Sequence, residues 1–442
     1  MQVELIGGLD RDVAWNGQTL YAAADFEPDR PVPTPLMGAA AAVRGDAKRG
    51  WRLLRDPLGI NKLFWSATGP GRIVVSARPY RLVATGVAFD SIRAFPRGFV
   101  LDLLEPEARI TPLSGNLGTR PPAADMDADA VAVIALGIRR RLDDYLQAVR
   151  AALPSRRAFV CLSGGLDSTG ISIVVRDHFP DATFVSFDLN GPGQPPSDDR
   201  RTARRIADGF GVPLMEVDVR FDELLELLDV ALLEGIDWRP FNVHAALVNA
   251  ALAVAIADSL PDHEADDAPL VFTGDLANEL LADYAPEVSG GVVHYALPDL
   301  APGELRQTLV DGLDTSHREV GIFGASGLTT IQPYAAATDL YLNLPDHFLG
   351  RPDRKQSLSA AIFGSMLPRY VLERPKVRAQ VGGAGGGVLA ACIERGIDDA
   401  WLRSRFAELH RTDSRSLGRF IRAGRYRSAF PNDPVEAVTT GG

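Results

Sequence analysis

The 442-residue sequence predicts an α/β protein in two parts, a β-rich N-terminal domain and a C-terminal domain built on a parallel sheet flanked by helices. Three observations carry this. Short apolar or alternating runs separated by Gly, Pro and Asp crowd the first hundred residues. From about residue 158, apolar runs alternate with helical patterns, the rhythm of a parallel sheet. Between them "EPEARITPLSGNLGTRPPAADMDADA" (105–130) lacks apolar periodicity until its end and reads as a linker, dividing the chain into 1–118 and 119–442.

Each element follows in order. "MQVELIGG", "LYAAADF", "MGAAAAVRG", "WRLLRDPLGI", "RIVVSA" and "FVLDLL" are the N-terminal strand candidates. "AVAVIALGIRRRLDDYLQAVRAAL" is a long helix leading into the second domain. There "AFVCLSGG" reads as a buried strand, "DSTGISIVVRDHF" as a helix and "ATFVSFDLNG" as a strand. "DDRRTARRIADGFG" is a helix and "PLMEVDV" a strand. Residues 221–260 are mostly helical, "APLVFTGD" adds one more buried strand, and the remainder reads as helical, broken at "RPK" and "VGGAGGGV". No internal repeat is visible.

Composition narrows the function classes. With 46% hydrophobic and 23% charged residues the chain can bury a sizeable core. A net charge of −11 disfavours a general nucleic-acid binder, since neutralising phosphates needs surplus Lys and Arg. The Arg-rich stretches "RTARRIADGF" and "SRSLGRFIRAGRYRSAF" read first as solvated helix faces. Cys161 and Cys392 are the only cysteines, so neither a disulfide framework nor a thiolate metal site is expected. The N-terminus lacks the pattern of a secretory signal and no run of 18 apolar residues appears, so the expectation is a cytoplasmic protein without membrane contact. The seven histidines show no HxxxH or HxH spacing, and "GLDSTG" contains no G-x-S-x-G, which disfavours a zinc enzyme and a nucleophile-elbow hydrolase.

The chemistry centres on "FVCLSGGLDSTGISIVV" (159–175). In a parallel sheet, ligands bind beyond the carboxyl ends of the strands, where this loop feeds into a helix N-terminus. Gly164 and Gly165 let backbone amides approach an anion, and the helix dipole favours negative charge there. A Walker loop would carry a lysine; this loop offers Asp167 instead, an oxygen ligand suited to Mg²⁺ and so to Mg²⁺-bound pyrophosphate. A plain glycine turn would explain two glycines but not the added Ser163, Asp167 and Ser168.

"LSGGLDS" resembles the pyrophosphate loop of the ATP-pyrophosphatase superfamily, and its surroundings look like asparagine synthetase and its relatives. "VFTGDLANELLADY" is similar to the second phosphate-side motif, usually Ser-Gly-Glu-Gly-Ser-Asp-Glu followed by a glycine and an aromatic residue. "LTTIQPYAAATDLYLNLP" and "DRKQSLSAAIFGSMLPRYVLERPK" resemble the late segments of that family, including its lysine, Leu-Pro and closing Arg-x-Lys. "RDPLGINKLFW", "VVSARPYRLVATG" and "IRAFPRGFVL" look like the glutaminase domain of asparagine synthetases. The resemblance implies a degenerate glutaminase-like (Ntn-type) domain at 1–118 and an adenine nucleotide α-hydrolase-like synthetase domain at 119–442.

Departures from the family pattern are informative. Residue 2 is Gln where a working glutaminase exposes a cysteine, and the domain is too short for the usual glutamine pocket. This combination resembles two offshoots, the β-lactam synthetases and the lasso-peptide macrolactam synthetases, in which a substrate amine replaces ammonia. Asn278 stands where the family has a metal-binding Asp, so Mg²⁺ affinity should fall or Glu279 take over. Asp275 replaces the Tyr common in β-lactam synthetases, which disfavours that offshoot.

The resemblance implies that a carboxylate attacks the α-phosphorus of ATP, giving an acyl-adenylate and Mg²⁺-pyrophosphate, and that an amine then attacks the carbonyl. ATP would be bound by Leu162, Ser163, Gly164, Gly165, Asp167, Ser168 and Gly274; Mg²⁺ by Asp167 with Asn278 and Glu279. Lys355 and Lys376 would face the developing charge, and Asp275 would accept the amine proton. Lys355 also reads as a solvated lysine at a helix start, and Asp275 equally as a structural cap. "VGGAGGGV" is either a linker or a lid that excludes water. The expected substrate is a peptide or a small amino-acid derivative, the former bringing a precursor-processing protease as partner. An intermolecular amide ligase, a nucleotide-binding scaffold without activity and, more remotely, a tRNA-thiolating enzyme are the alternatives.

Overall fold

The computed structural model describes residues 2–413 and 417, except 12, 23, 24, 105, 106, 114–127, 191–194, 261–267, 290, 376, 377, 379 and 382–386. The expected domain boundary near 118, Lys376 and most of the glycine-rich run therefore lie outside the described residues.

The N-terminal part is a two-sheet sandwich. Its strands are β1 (Gln2–Leu5), β2 (Ala14–Trp15), β3 (Leu20–Tyr21), β4 (Ala41–Asp46), β5 (Gly50–Arg55), β6 (Phe64–Gly69), β7 (Arg72–Ser76), β8 (Arg93–Ala94), β9 (Phe99–Leu104) and β10 (Glu107–Pro112). One sheet runs β1-β7-β6-β8, the other β10-β9-β5-β4, and β2 and β3 form a small hairpin. Alternation sorts the side chains. Val43, Leu53 and Leu101 of one sheet meet Val3, Ile73 and Val75 of the other in a shared core, while Ala42, Leu54 and Val100 point into a second cluster with Phe26 and Leu36. Strand β10 occupies the start of the stretch read as linker; it pairs antiparallel with β9 from Glu107 to Pro112. Three polar or charged residues and a proline among its six hid it from an apolar-run criterion.

The second part is a doubly wound sheet of β11 (Ala158–Cys161), β12 (Thr183–Leu189), β13 (Leu214–Val219), β14 (Leu270–Phe272) and β17 (Thr329–Ile331), with the two-stranded β15 (Glu287–Ser289) and β16 (Val292–Tyr295) between β14 and β17 in the chain. The order β13-β12-β11-β14-β17 is parallel throughout, with Val160 opposite Phe184 on one side and Phe272 on the other. Successive residues face opposite layers. Val160, Phe184 and Phe272 pack with helices 128–152, 166–178 and 352–363; Phe159, Val185 and Val271 pack with helices 228–235, 240–258 and 399–409. The Pro240–Asp258 helix is long and apolar enough to cross a membrane, but it is mostly buried in this second layer. Strand β17 and the β15–β16 hairpin depart from the helical reading of the last third. They are three or four residues long, too short for period-two alternation to register.

Chain order reverses between β11 and β14, so the crevice beyond their carboxyl ends is the topological switch point, the place where open α/β sheets bind ligands.

Candidate active site

A cleft of about 430 Å³ opens at that switch point, lined by residues 161–168, by Thr273, Gly274, Asp275, Asn278, Asp283 and Tyr284, and by Lys355 and Arg374. Its floor is the loop Leu162–Ser168. Leu162 is buried and its N–H donates to the Val185 carbonyl at 2.8 Å, continuing β11 for one residue. Gly164 then turns at φ +74°, and a Cβ there would meet Thr202 at 2.9 Å, so only glycine fits. Ser163 Oγ accepts from the Gly165 N–H at 3.3 Å and lies 3.1 Å from Ser168 Oγ, which cross-braces the loop.

The helix Leu166–His178 begins at Gly165 without a side-chain cap, so its first N–H groups face the cleft. Gly274 permits this geometry from the other strand: a Cβ there would lie 2.7 Å from Ser168 N. Loop, helix N-terminus and Gly274 thus form one cradle with the dimensions and polarity for an anion.

Beside the cradle lies a buried cation. Lys355 Nζ, on the helix Pro352–Phe363, donates to Asp167 Oδ2 at 2.7 Å, Asn278 Oδ1 at 2.6 Å and Asp283 Oδ2 at 3.0 Å. It is 4% exposed. Burial opposes its charge, yet Asp167 and Asp283 hold its pKa above the usual lysine value. The structure therefore places Lys355 with Asp167 and Asn278, inside the protein and not on a solvated helix start. Asp283 was not singled out from sequence; its position directly before the aromatic Tyr284 was the available signal.

Glu279 is placed elsewhere. Its Oε1 accepts from Tyr284 Oη at 2.7 Å and from Arg318 at 3.2 Å, away from Lys355 and Asp167. The intervening turn explains the divergence: Leu276 has φ +84°, a left-handed conformation rare for a branched residue, and it starts the short helix Ala277–Leu281 from which Asn278 and Glu279 leave on different sides. Among the described residues no group of three or more His, Cys, Asp or Glu gathers as a metal centre.

Asp275 faces the cleft just before that turn. Burial, then repulsion from Glu319, push its pKa up to about 7, with Arg318 pulling the other way. Burial and the nearby Asp275 push the Cys161 thiol far above its ordinary range, so Cys161 is no nucleophile. Arg318 and Glu319 had no motif to mark them. Arg318 donates to Glu319 at 2.5 Å and to Asn242 at 2.6 Å, and its guanidinium lies 5.0 Å from the Phe241 ring centroid.

Arg374, the arginine of the closing Arg-x-Lys, reaches the loop itself. It donates to Asp199 at 2.5 Å and Asp198 at 2.8 Å, with a longer contact of 3.4 Å to the Gly164 carbonyl. Lys376, two residues on, lies outside the described residues.

A lysine-free phosphate cradle at the switch point, a cation shared by Asp167 and Asp283, and an acid with raised pKa just past the facing strand suit an ATP-dependent carbon–nitrogen ligase that forms AMP and pyrophosphate, the class that the family match supports. Residues 139–312 match the family model described as asparagine synthase, which makes this part of the chain asparagine synthetase-like. No curated protein matches the chain. Among solved structures, NMN synthetase from Francisella tularensis is similar at 12% identity and a TM-score of 0.33, covering 67% of this chain and 98% of its own. An NH3-dependent NAD synthetase from Campylobacter jejuni is similar at 15% identity and a TM-score of 0.25, covering 36% of this chain and 62% of its own.

Proposed function

We propose that the chain adenylates a substrate carboxylate and closes a lactam with an amine of the same substrate, in the manner of a macrolactam synthetase acting on a peptide. The observation that carries the adenylation step is the cradle of Ser163–Ser168 beside the Lys355–Asp167–Asp283 cluster. In-line attack on the α-phosphorus breaks the bond to the pyrophosphate, whose charge the uncapped helix and Lys355 receive. The amine then attacks the acyl carbonyl, its proton passes to Asp275, and AMP leaves. A base with a pKa near 7 suits this transfer at neutral pH.

Mg²⁺ fits the residues present. Asp167, Asn278 and Asp283 form an oxygen-only set, the donor chemistry this ion takes, and they already hold one cation between them. When bound, Mg²⁺ supplies charge neutralisation to the pyrophosphate. Asp283, and not Glu279, is the second carboxylate in reach of Asp167 through Lys355.

The sandwich, taken as a degenerate glutaminase-like domain at 1–118 joined to a synthetase domain at 119–442, contains no cysteine. The nucleophile therefore arrives on the substrate, and tethering amine to carboxylate supplies the proximity that free ammonia lacks. A peptide with a free N-terminal amine and an internal Asp or Glu side chain has both groups, and a leader-removing protease would expose that amine.

Incubation of the pure protein with ATP, Mg²⁺ and candidate precursor peptides tests this. The expected result is substrate-dependent release of AMP and pyrophosphate and loss of one water from the peptide. ADP as the main product would refute adenylation. Pyrophosphate release driven by small amino acids and by no peptide would replace the macrolactam reading with a β-lactam synthetase or an intermolecular ligase. Nucleotide binding without either product would leave a scaffold.

A further inference from the structure

The N-terminal sandwich carries charged side chains that are buried and bonded to residues of the synthetase part. Lys62 is 1% exposed; its Nζ donates to the Leu313 carbonyl at 2.6 Å, and to Gly59 and Ile60 within its own turn at 2.5 and 3.2 Å. Arg55 pairs with Asp314 at 2.5 Å, both nearly fully buried. Gly59 lets them meet, because a Cβ there would lie 2.8 Å from Asp314 Oδ1. Arg78 forks onto Asp10 at 2.7 and 2.8 Å, bonds Glu234, and reaches the Gly321 carbonyl at 3.4 Å. His317 is 1% exposed and lies 3.5 Å from Asp10.

These contacts converge on one short segment. Residues 313–317 are held by the sandwich, and the next two are Arg318 and Glu319, which enter the cleft and set the charge around Asp275. The segment itself is irregular, running from the end of the helix Pro302–Gly312 to the start of the helix Val320–Ala325. From the synthetase side His317 N–H donates to the Gly235 carbonyl at 2.8 Å, Arg239 donates to Thr315 Oγ1 at 2.8 Å and Asn249 donates to the Arg318 carbonyl at 2.9 Å, so the sandwich supplies the opposite half of the grip.

We infer that the sandwich is a positioning element of the synthetase site: Lys62 and Arg55 fix residues 313 and 314, Arg78 holds the Gly321 flank and orients Asp10 beside His317, and together they keep Glu319 and Arg318 against Asp275. This goes beyond the proposed function and uses it only for the catalytic consequence; the exchange measurements below do not depend on it.

The variant Lys62→Met keeps the side-chain length and removes the donor to Leu313. Leaving a buried carbonyl unpaired is expected to quicken amide hydrogen exchange across 313–319 by about ten- to a hundredfold, with the 162–168 loop unchanged. A second readout separates positioning from general loosening. Carbon-13 NMR of protein labelled at its aspartate carboxyl carbons reports Asp275 ionisation directly, with Asp275→Asn as the assignment control. The titratable and charged groups facing Asp275 are Glu319, Arg318, Glu279, Tyr284 and Cys161, with the Thr273 hydroxyl beside it. Withdrawing Glu319 and admitting water is expected to move the inflection down by about half a pH unit or more. A folded Lys62→Met protein with unchanged exchange and an unmoved inflection overturns the inference. If Lys62→Met does not fold, native-state exchange of the wild type in rising guanidinium decides. Loss of protection in 313–319 together with residues 53–64 supports it, and independent loss refutes it.

Discussion

Replacing Asp275 by Asn should abolish turnover and at the same time stabilise the protein at alkaline pH. The rise of its pKa from 3.8 to about 7 comes first from burial and then from Glu319. The folded carboxyl therefore holds a proton where the unfolded one has released it. Stability from this group is fully present below about pH 4, falls as pH rises toward 7, and is constant above. At about 1.4 kcal/mol per pH unit the full penalty is about 4 kcal/mol, an upper bound because the carboxyl partly faces the cleft. Asparagine keeps the shape and has no proton to lose. Thermal unfolding of wild type and Asp275→Asn from pH 4 to 9, without nucleotide, should show midpoints that coincide at the acid end. They should separate through pH 5–7, with the variant several degrees higher at pH 8.5. An Asn variant that is unchanged or less stable at pH 8.5 would refute the reasoning and make Asp275 a structural cap of ordinary acidity.

Lys355→Met should destabilise the protein by about 3–5 kcal/mol, since Asp167 and Asp283 are left buried without their cation; millimolar Mg²⁺ should restore part of the loss, read by chemical denaturation with and without the ion. Gly274→Ala drives a Cβ to 2.7 Å from Ser168 N; it should cost about 1–3 kcal/mol and weaken ATP binding measured by calorimetry. Asn278→Asp should lower the Mg²⁺ concentration needed for half-maximal pyrophosphate release, because a carboxylate replaces a neutral amide beside Asp167. An unchanged Mg²⁺ dependence would show that position 278 does not face the ion.

The sheet strands and the phosphate loop were legible because each is a local pattern: an apolar run, two glycines, a helix start. Ser163 through Ser168 lie together for the same reason, being six consecutive residues. Asp283 and Glu279 were harder, because both follow Asn278 in one short stretch and their separation depends on Leu276 adopting φ +84°. Nothing in a leucine announces that conformation; the fold imposes it. Arg318 and Glu319 were invisible for another reason. Arg318 bonds Asn242 and Glu279, and the residues flanking the pair, Leu313, Asp314 and Gly321, are bonded by Lys62, Arg55 and Arg78 more than two hundred residues earlier; no spacing rule spans such a distance. Strand β17 was missed because three residues contributed by Thr329, Thr330 and Ile331 are held by pairing with β14 and not by their own pattern.

The substitution at 278 looks like a loss when read along the chain and like an exchange when read in space. Around Lys355 the structure places Asp167, Asn278 and Asp283, so the ammonium faces two carboxylates and one amide. With an aspartate at 278 as well, three carboxylates would crowd one buried lysine, and the extra charge would be uncompensated before nucleotide arrives. Neutral Asn278 still donates an oxygen to the cluster, while Asp283 supplies the second negative charge from the opposite side. The cluster therefore keeps the charge balance of a site that holds one cation at rest and can accept a divalent ion with its phosphate counter-charge. On this reasoning the weakened motif is a redistribution of charge around Lys355, and the cleft retains what adenylation requires.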